Sequence, residues 1–147
     1  PLSAAKHRKI SLVGPLADDE IVPLGNYHGV PSKVITPLRG LEDLGVEVKY
    51  VHGYDVADGS DEDPCQQMSD DSDATILVMG LNQDIESEEI DRTSLLLPKV
   101  QVHMIEEATR CSRAKNPAAP VILVAMTGGP LDLSSYKTND NIDAILY

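Results

Sequence analysis

A chain of 147 residues is long enough for one ordinary core. Its 12 basic and 24 acidic residues give a net charge of −12, which works against nucleic acid or an anionic membrane as a partner. No apolar run approaches the roughly 20 residues of a membrane span, and the opening PLSAAKHRK has no apolar centre of the kind a signal peptide carries. With no Phe, no Trp and five Tyr, the core must be built from Leu, Ile, Val, Ala and Met, and stacked rings of the kind that hold sugars are scarce.

Five runs rich in β-branched residues are predicted strands: KISLVG (9–14), VEVKYV (46–51), ATILVMG (74–80), PVILVAM (120–126) and DAILY (143–147). The third and fourth are continuously apolar, as expected of central parallel strands covered on both faces. Between the first two lies TPLRGLEDLG, where Thr36 is placed to cap a helix over 37–44, Pro37 opens it, and Gly45 ends it. Leu38, Leu41 and Leu44 form its apolar stripe. Residues 53–73 carry eight acids and no base, and only PCQQMSDDS could supply a turn or two of helix, so a loop with a helical stub is expected. The segment at 98–114 places Val100, Met104, Ala108 and Cys111 on one face beside Ile105, and collects Arg110, Arg113 and Lys115 where the helix dipole favours cations. TGGPLDLSSYKTND then predicts a glycine-proline turn followed by about one helical turn. The whole is an α/β fold: a three-layer sandwich around a mainly parallel sheet of about five or six strands, in a flavodoxin-like arrangement, forming a single domain over 1–147.

Phosphate-cradling loops of the GxxxxGK[ST] type, GxGxxG turns, HExxH, CxxC and GxSxG are all missing, which removes the strongest warrants for nucleotide and zinc chemistry. His7, His28, His52 and His103 have no ligand spacing, DGSDEDP fails the calcium-loop pattern, and no metal or cofactor is expected. Cys65 and Cys111 are too distant in sequence for a local metal clip and too few for a disulfide scaffold. The stretch NQDIESEEIDR stands apart. It puts Asp84, Glu86, Glu88, Glu89 and Asp91 where a buried strand opens into a loop. In an extended chain Glu86 and Glu88 share a face, and neighbouring carboxylates raise one another's proton affinity, as proton donation at neutral pH requires. Asp91 and Arg92 offer an internal ion pair. A charged loop facing water accounts for the same residues, so spacing leaves both readings open.

The order of motifs carries more. ISLVGPLADDE, LGNYHGVPSKVITPLRGLEDLG, ATILVMGLNQDIESEEIDRTSLLLP, PVILVAMTGGPLDLS and IDAILY together resemble the second α/β domain of plant glycoside hydrolase family 3 enzymes. The nearest likeness is to the β-D-xylosidase and α-L-arabinofuranosidase group of the cell wall, over about residues 9–147. The resemblance implies a domain packed against a (β/α)8 barrel that holds an Asp nucleophile, with the acid/base Glu supplied by the loop matching QDIESEEIDR. Glu86 is the first choice for that role and Glu88 the reserve. Asp91 and Arg92 support the loop, and Gly128 and Gly129 shape the neighbouring turn. Xylosides or arabinosides are the implied ligands, the extracellular cell wall the implied location.

The departures from the family are Ser32 and Tyr54 where the relatives have cysteines, an acidic stub in place of a longer helix before the third strand, and LPKVQ for LPGQQ. Without the barrel the chain is expected to be inactive, and an uncovered apolar face favours a homo-oligomer. The alternative is a stand-alone binding, storage or inhibitor-like protein that kept the fold without catalysis.

Overall fold

The computed structural model describes residues 2–57 and 63–147. Its elements in chain order are β1 (Lys9–Val13), α1 (Pro37–Asp43), β2 (Glu47–Val51), α2 (Pro64–Gln67), β3 (Ala74–Gly80), α3 (Lys99–Lys115), β4 (Val121–Met126), α4 (Ser134–Lys137) and β5 (Ala144–Leu146). The five strands form one wholly parallel sheet in the order β2-β1-β3-β4-β5. This is the flavodoxin-like order, in which the winding direction reverses between β1 and β3. Residues 58–62 of the eight-acid segment lie outside the described residues, and α2 is its helical stub.

The sheet has two apolar faces. One packs Val13, Val51, Leu77, Met79, Val121 and Leu123 against Met104, Ile105, Ala108 and Cys111 of α3. The other packs Ile10, Leu12, Ala74, Ile76 and Val78 under Leu38 of α1 and the turn carrying Leu16 and Ala17. Burying a side chain such as Leu12 or Leu77 contributes about 2 kcal/mol. Strand β3 is buried at all seven positions, as its unbroken apolar run requires. Strand β4 alternates buried and half-buried, because α3 covers one of its faces while Ile122, Val124 and Met126 on the other are only partly shielded.

Helix α1 starts as its sequence dictates, with the Thr36 hydroxyl accepting from the Arg39 N–H and Pro37 at the first helical position. It stops at Asp43, so Leu44 falls at the cap and is exposed instead of completing the apolar stripe. Helix α3 runs one residue beyond the predicted end and buries Gln101 completely. A disulfide joins Cys65 of α2 to Cys111 of α3 across 46 residues of sequence, with Cα atoms 5.5 Å apart. Sequence distance had argued against a local metal clip and the number of cysteines against a disulfide scaffold; the parallel crossover that brings α2 onto α3 makes this single pairing a tertiary event. Near the amino edge of the sheet, Asp73 ties β3 to β1 by accepting the Arg8 and Lys9 N–H groups at 2.8 and 3.0 Å.

Candidate active site

At the carboxyl edge of the sheet, where the winding reverses, β1 and β3 send their loops in different directions and leave a crevice, the usual ligand position in open α/β sheets. A cleft of about 500 Å³ lies there. Val22, Gly25 and Asn26 line it from the loop after β1, Leu81 to Gln83 with Glu86, Ser87, Glu88 and Asp91 from the loop after β3, and Gly128 and Gly129 from the loop after β4. Gln83 fastens the first two loops together, its amide donating to the carbonyls of Gly25 (3.1 Å) and Ile21 (3.4 Å).

The loop after β3 is not the extended segment that the spacing of Glu86 and Glu88 implied. The Asn82 carbonyl accepts the N–H groups of Ile85 and Glu86, winding the chain into a turn. Ser87 and Ile90 then exchange both backbone hydrogen bonds, at 3.2 and 3.0 Å, and leave Glu88 and Glu89 as the two central residues of a tight hairpin. Glu89 takes φ 67°, the left-handed conformation that the second central position of a type II turn demands and that favours Gly or Asn. An L side chain there costs about 1 kcal/mol or more. Glu89→Gly is accordingly expected to stabilise the chain by about 0.5–1 kcal/mol, the added freedom of glycine when unfolded offsetting part of the relief. Denaturant unfolding checks this, and a destabilised variant would contradict the strained turn.

Arg92 closes the base of this hairpin. Its side chain is 8% exposed; Nη1 donates to the Ser94 carbonyl at 2.8 Å and Nη2 to the Pro130 carbonyl at 2.6 Å, while Nε lies 3.0 Å from Glu86 Oε2. That last N–H is not directed along a hydrogen bond, so the Glu86 contact is an ion pair held by proximity. Its value lies in neutralising a guanidinium that is almost out of water. Arg92 thus pairs with Glu86, not with Asp91 as the sequence implied. Adjacent residues in non-helical chain point to opposite sides, and when Arg92 turns inward Asp91 is left exposed on the cleft wall.

The two glycines behave differently. A Cβ at Gly129 would collide with the Glu86 carboxylate, whereas at Gly128 it would meet nothing. Gly129 also has its N–H accepted by the Thr127 hydroxyl at 3.1 Å, and that hydroxyl donates to its carbonyl at 2.8 Å. The β4 loop is therefore shaped to receive Glu86. Glu86 is half-buried, Glu88 exposed at the hairpin tip, and both face the cleft. Asn26, Asn82 and Gln83 are further polar lining groups that the sequence reading passed over; the signal for them was their place directly after a strand end or within the GNYHG turn. Among the described residues no group of three or more His, Cys, Asp or Glu side chains could hold a metal ion. No described helix is long and apolar enough to cross a membrane.

Comparison with known proteins matches residues 1–147 to the Glycosyl hydrolase family 3 C-terminal domain. The beta-xylosidase/alpha-L-arabinofuranosidase 1 of Medicago sativa subsp. varia is 39% identical over 149 residues, covering all of this chain and 18% of that protein. Beta-D-xylosidase 1 of Arabidopsis thaliana is 35% identical over 157 residues, again across the whole chain and 19% of the relative. A solved family 3 exo-beta-xylosidase in complex with a xylobiose aziridine activity-based probe superposes with a TM-score of 0.83 at 30% identity, over 95% of this chain and 18% of that one. The chain spans about a fifth of the length of these relatives. With the parallel sheet, the cleft at its carboxyl edge and a family match over every residue, this chain belongs to glycosyl hydrolase family 3, as its C-terminal domain.

Proposed function

We propose that the chain is the acid/base-bearing domain of a retaining β-xylosidase or α-L-arabinofuranosidase, and that its nucleophile comes from a separate barrel. The carrying observation is that Glu86, Glu88 and Asp91 all arise from one short hairpin and stand on one wall of the cleft. A retaining glycosidase needs two carboxylates flanking the scissile bond, about 5–5.5 Å apart on opposite sides of the sugar. One wall can supply the proton donor and not its partner.

Within the hairpin, Glu88 fits the donor role better than Glu86, which the family resemblance had placed first. Glu86 already serves as the counter-charge to Arg92, whose Nε lies 3.0 Å from its Oε2. Glu88 stands at the tip with no ion pair or hydrogen bond among the described residues. Exposed apolar side chains on the same edge support a docked barrel: Ile21, Tyr27 and Val30 follow β1, and Ile90, Leu95 and Leu96 follow β3. An extracellular, cell-wall location is supported by the likeness to plant enzymes and by the Cys65–Cys111 disulfide, since disulfides persist in oxidising compartments.

The test is hydrolysis of an aryl β-D-xyloside by the 147-residue chain alone and by the same chain joined to the barrel portion of the Medicago relative. Turnover is expected only from the joined protein. Robust hydrolysis by the chain alone would overturn the division of carboxylates.

A further inference from the structure

We propose that Gln101 is a positioning residue for the acid/base hairpin: its side-chain amide completes the carboxyl end of β3 and fixes the point from which residues 81–92 depart. This rests on the reading of that hairpin as the proton-donating element.

Strand β1 pairs with β3 only as far as Val13 and Leu77; it then turns away at Gly14. Strand β4 accompanies β3 to the end, with Gly80 opposite Met126 and the Leu81 N–H bonded to the Met126 carbonyl at 3.0 Å. Backbone groups of successive residues in a parallel strand face alternate neighbours. Since Leu81 bonds to β4, the N–H and C=O of Gly80 face the side that β1 has vacated. Buried and without a strand partner, they must be satisfied by another group.

Gln101, fully buried in the first turns of α3, does this. Its Oε1 accepts the Gly80 N–H at 2.8 Å, and its Nε2 donates to the Gly80 carbonyl at 2.8 Å and to the Val56 carbonyl at 2.9 Å. One amide thereby replaces the missing stretch of β1 and also holds the loop after β2. Gly80 has φ +148°, and a Cβ there would strike the Met126 backbone, so the strand end is gripped from both sides. A carboxylate or an apolar side chain of equal length at position 101 cannot reproduce the paired donor and acceptor. The hairpin itself has few anchors downstream: the Asn82 turn, Gln83 and Arg92. An error at its origin is therefore carried along it.

The experiment compares wild type, Gln101→Met, Gln101→Glu and Ala108→Gly in the 147-residue chain by 1H–15N NMR at neutral pH. Ala108→Gly is a control that weakens α3 away from Gly80. Expected are shifts or broadening of the Leu81–Arg92 amides in both Gln101 variants, with these signals unchanged in the control. Gln101→Glu keeps the acceptor and the length of the side chain, so it reads the missing donor even if Gln101→Met fails to fold. Signals from 82–92 that match wild type in a folded Gln101 variant overturn the proposal. In the barrel-joined protein, Gln101→Met is expected to lower kcat by about tenfold or more with little change in KM. If the NMR changes occur but the wild-type joined protein hydrolyses nothing, the positioning role stands and the assignment of the hairpin to proton donation fails.

Discussion

Breaking the Cys65–Cys111 disulfide is expected to lower the melting temperature by about 12 °C. The bond closes a loop spanning 46 residues of sequence, and tethering that loop removes enough freedom from the unfolded chain to contribute about 4 kcal/mol. For a chain of this size one kcal/mol moves the midpoint by about 3 °C. The local structure makes the full effect expected. Helix α2 is a single turn of four residues, far too short to persist by its own backbone bonds. Its Pro64 is buried and the following Met68 belongs to the core on the α3 side, so release of Cys65 frees that apolar cover along with the turn. The measurement is a thermal melt with and without a phosphine reductant, with thiols titrated under denaturing conditions in both samples. No free thiol in the untreated chain and two after reduction, together with the drop, are the expected result. An unchanged melt despite two titrated thiols would sink the claim.

The same disulfide shows where a single sequence stops being informative. Strand β3 was legible because a seven-residue run with Thr75 as its one polar side chain admits few other placements, and α3 because its apolar residues recur at helical spacing between a proline and a cluster of bases. The cysteines offered no such period: their pairing depends on the crossover that lays α2 on α3, which no window of sequence contains. Gln101 was hidden for a related reason. Periodicity marks apolar faces, and a polar residue on a buried face counts against the pattern until the vacated edge of β3 is seen to need its amide. At the candidate site the position of the acidic loop followed from its place after β3, and Glu86 and Glu88 both reached the cleft. The internal pairing did not follow. Asp91 is the nearer carboxylate in sequence to Arg92, but the hairpin folds Glu86 back onto the guanidinium, and that fold depends on Glu89 adopting a conformation that sequence preference disfavours.

The distinction between Glu86 and Glu88 predicts different kinetic defects in the barrel-joined protein. Replacing the general acid removes proton donation to the leaving oxygen, which is worth about 10²–10⁴ in rate. The loss depends on the substrate, because a leaving group that departs readily as an anion needs no proton. Glu88→Gln is therefore expected to lower kcat/KM for xylobiose by that factor while leaving attack on a dinitrophenyl xyloside far less affected. Hydrolysis of the glycosyl-enzyme then slows, since the same carboxylate must activate water. Added azide, which needs no general base, is expected to restore turnover and yield a xylosyl azide. Glu86→Gln should behave otherwise. It removes the counter-charge of a guanidinium that is 8% exposed, at a cost of about 2 kcal/mol, moderated because Glu86 is itself partly solvated. The hairpin loosens at its base, so both substrates suffer alike and azide rescues neither. Leaving-group dependence and azide rescue in Glu86→Gln but not in Glu88→Gln would exchange the roles. The proton donor would then be the ion-paired carboxylate, and Arg92 would have to release it during the reaction.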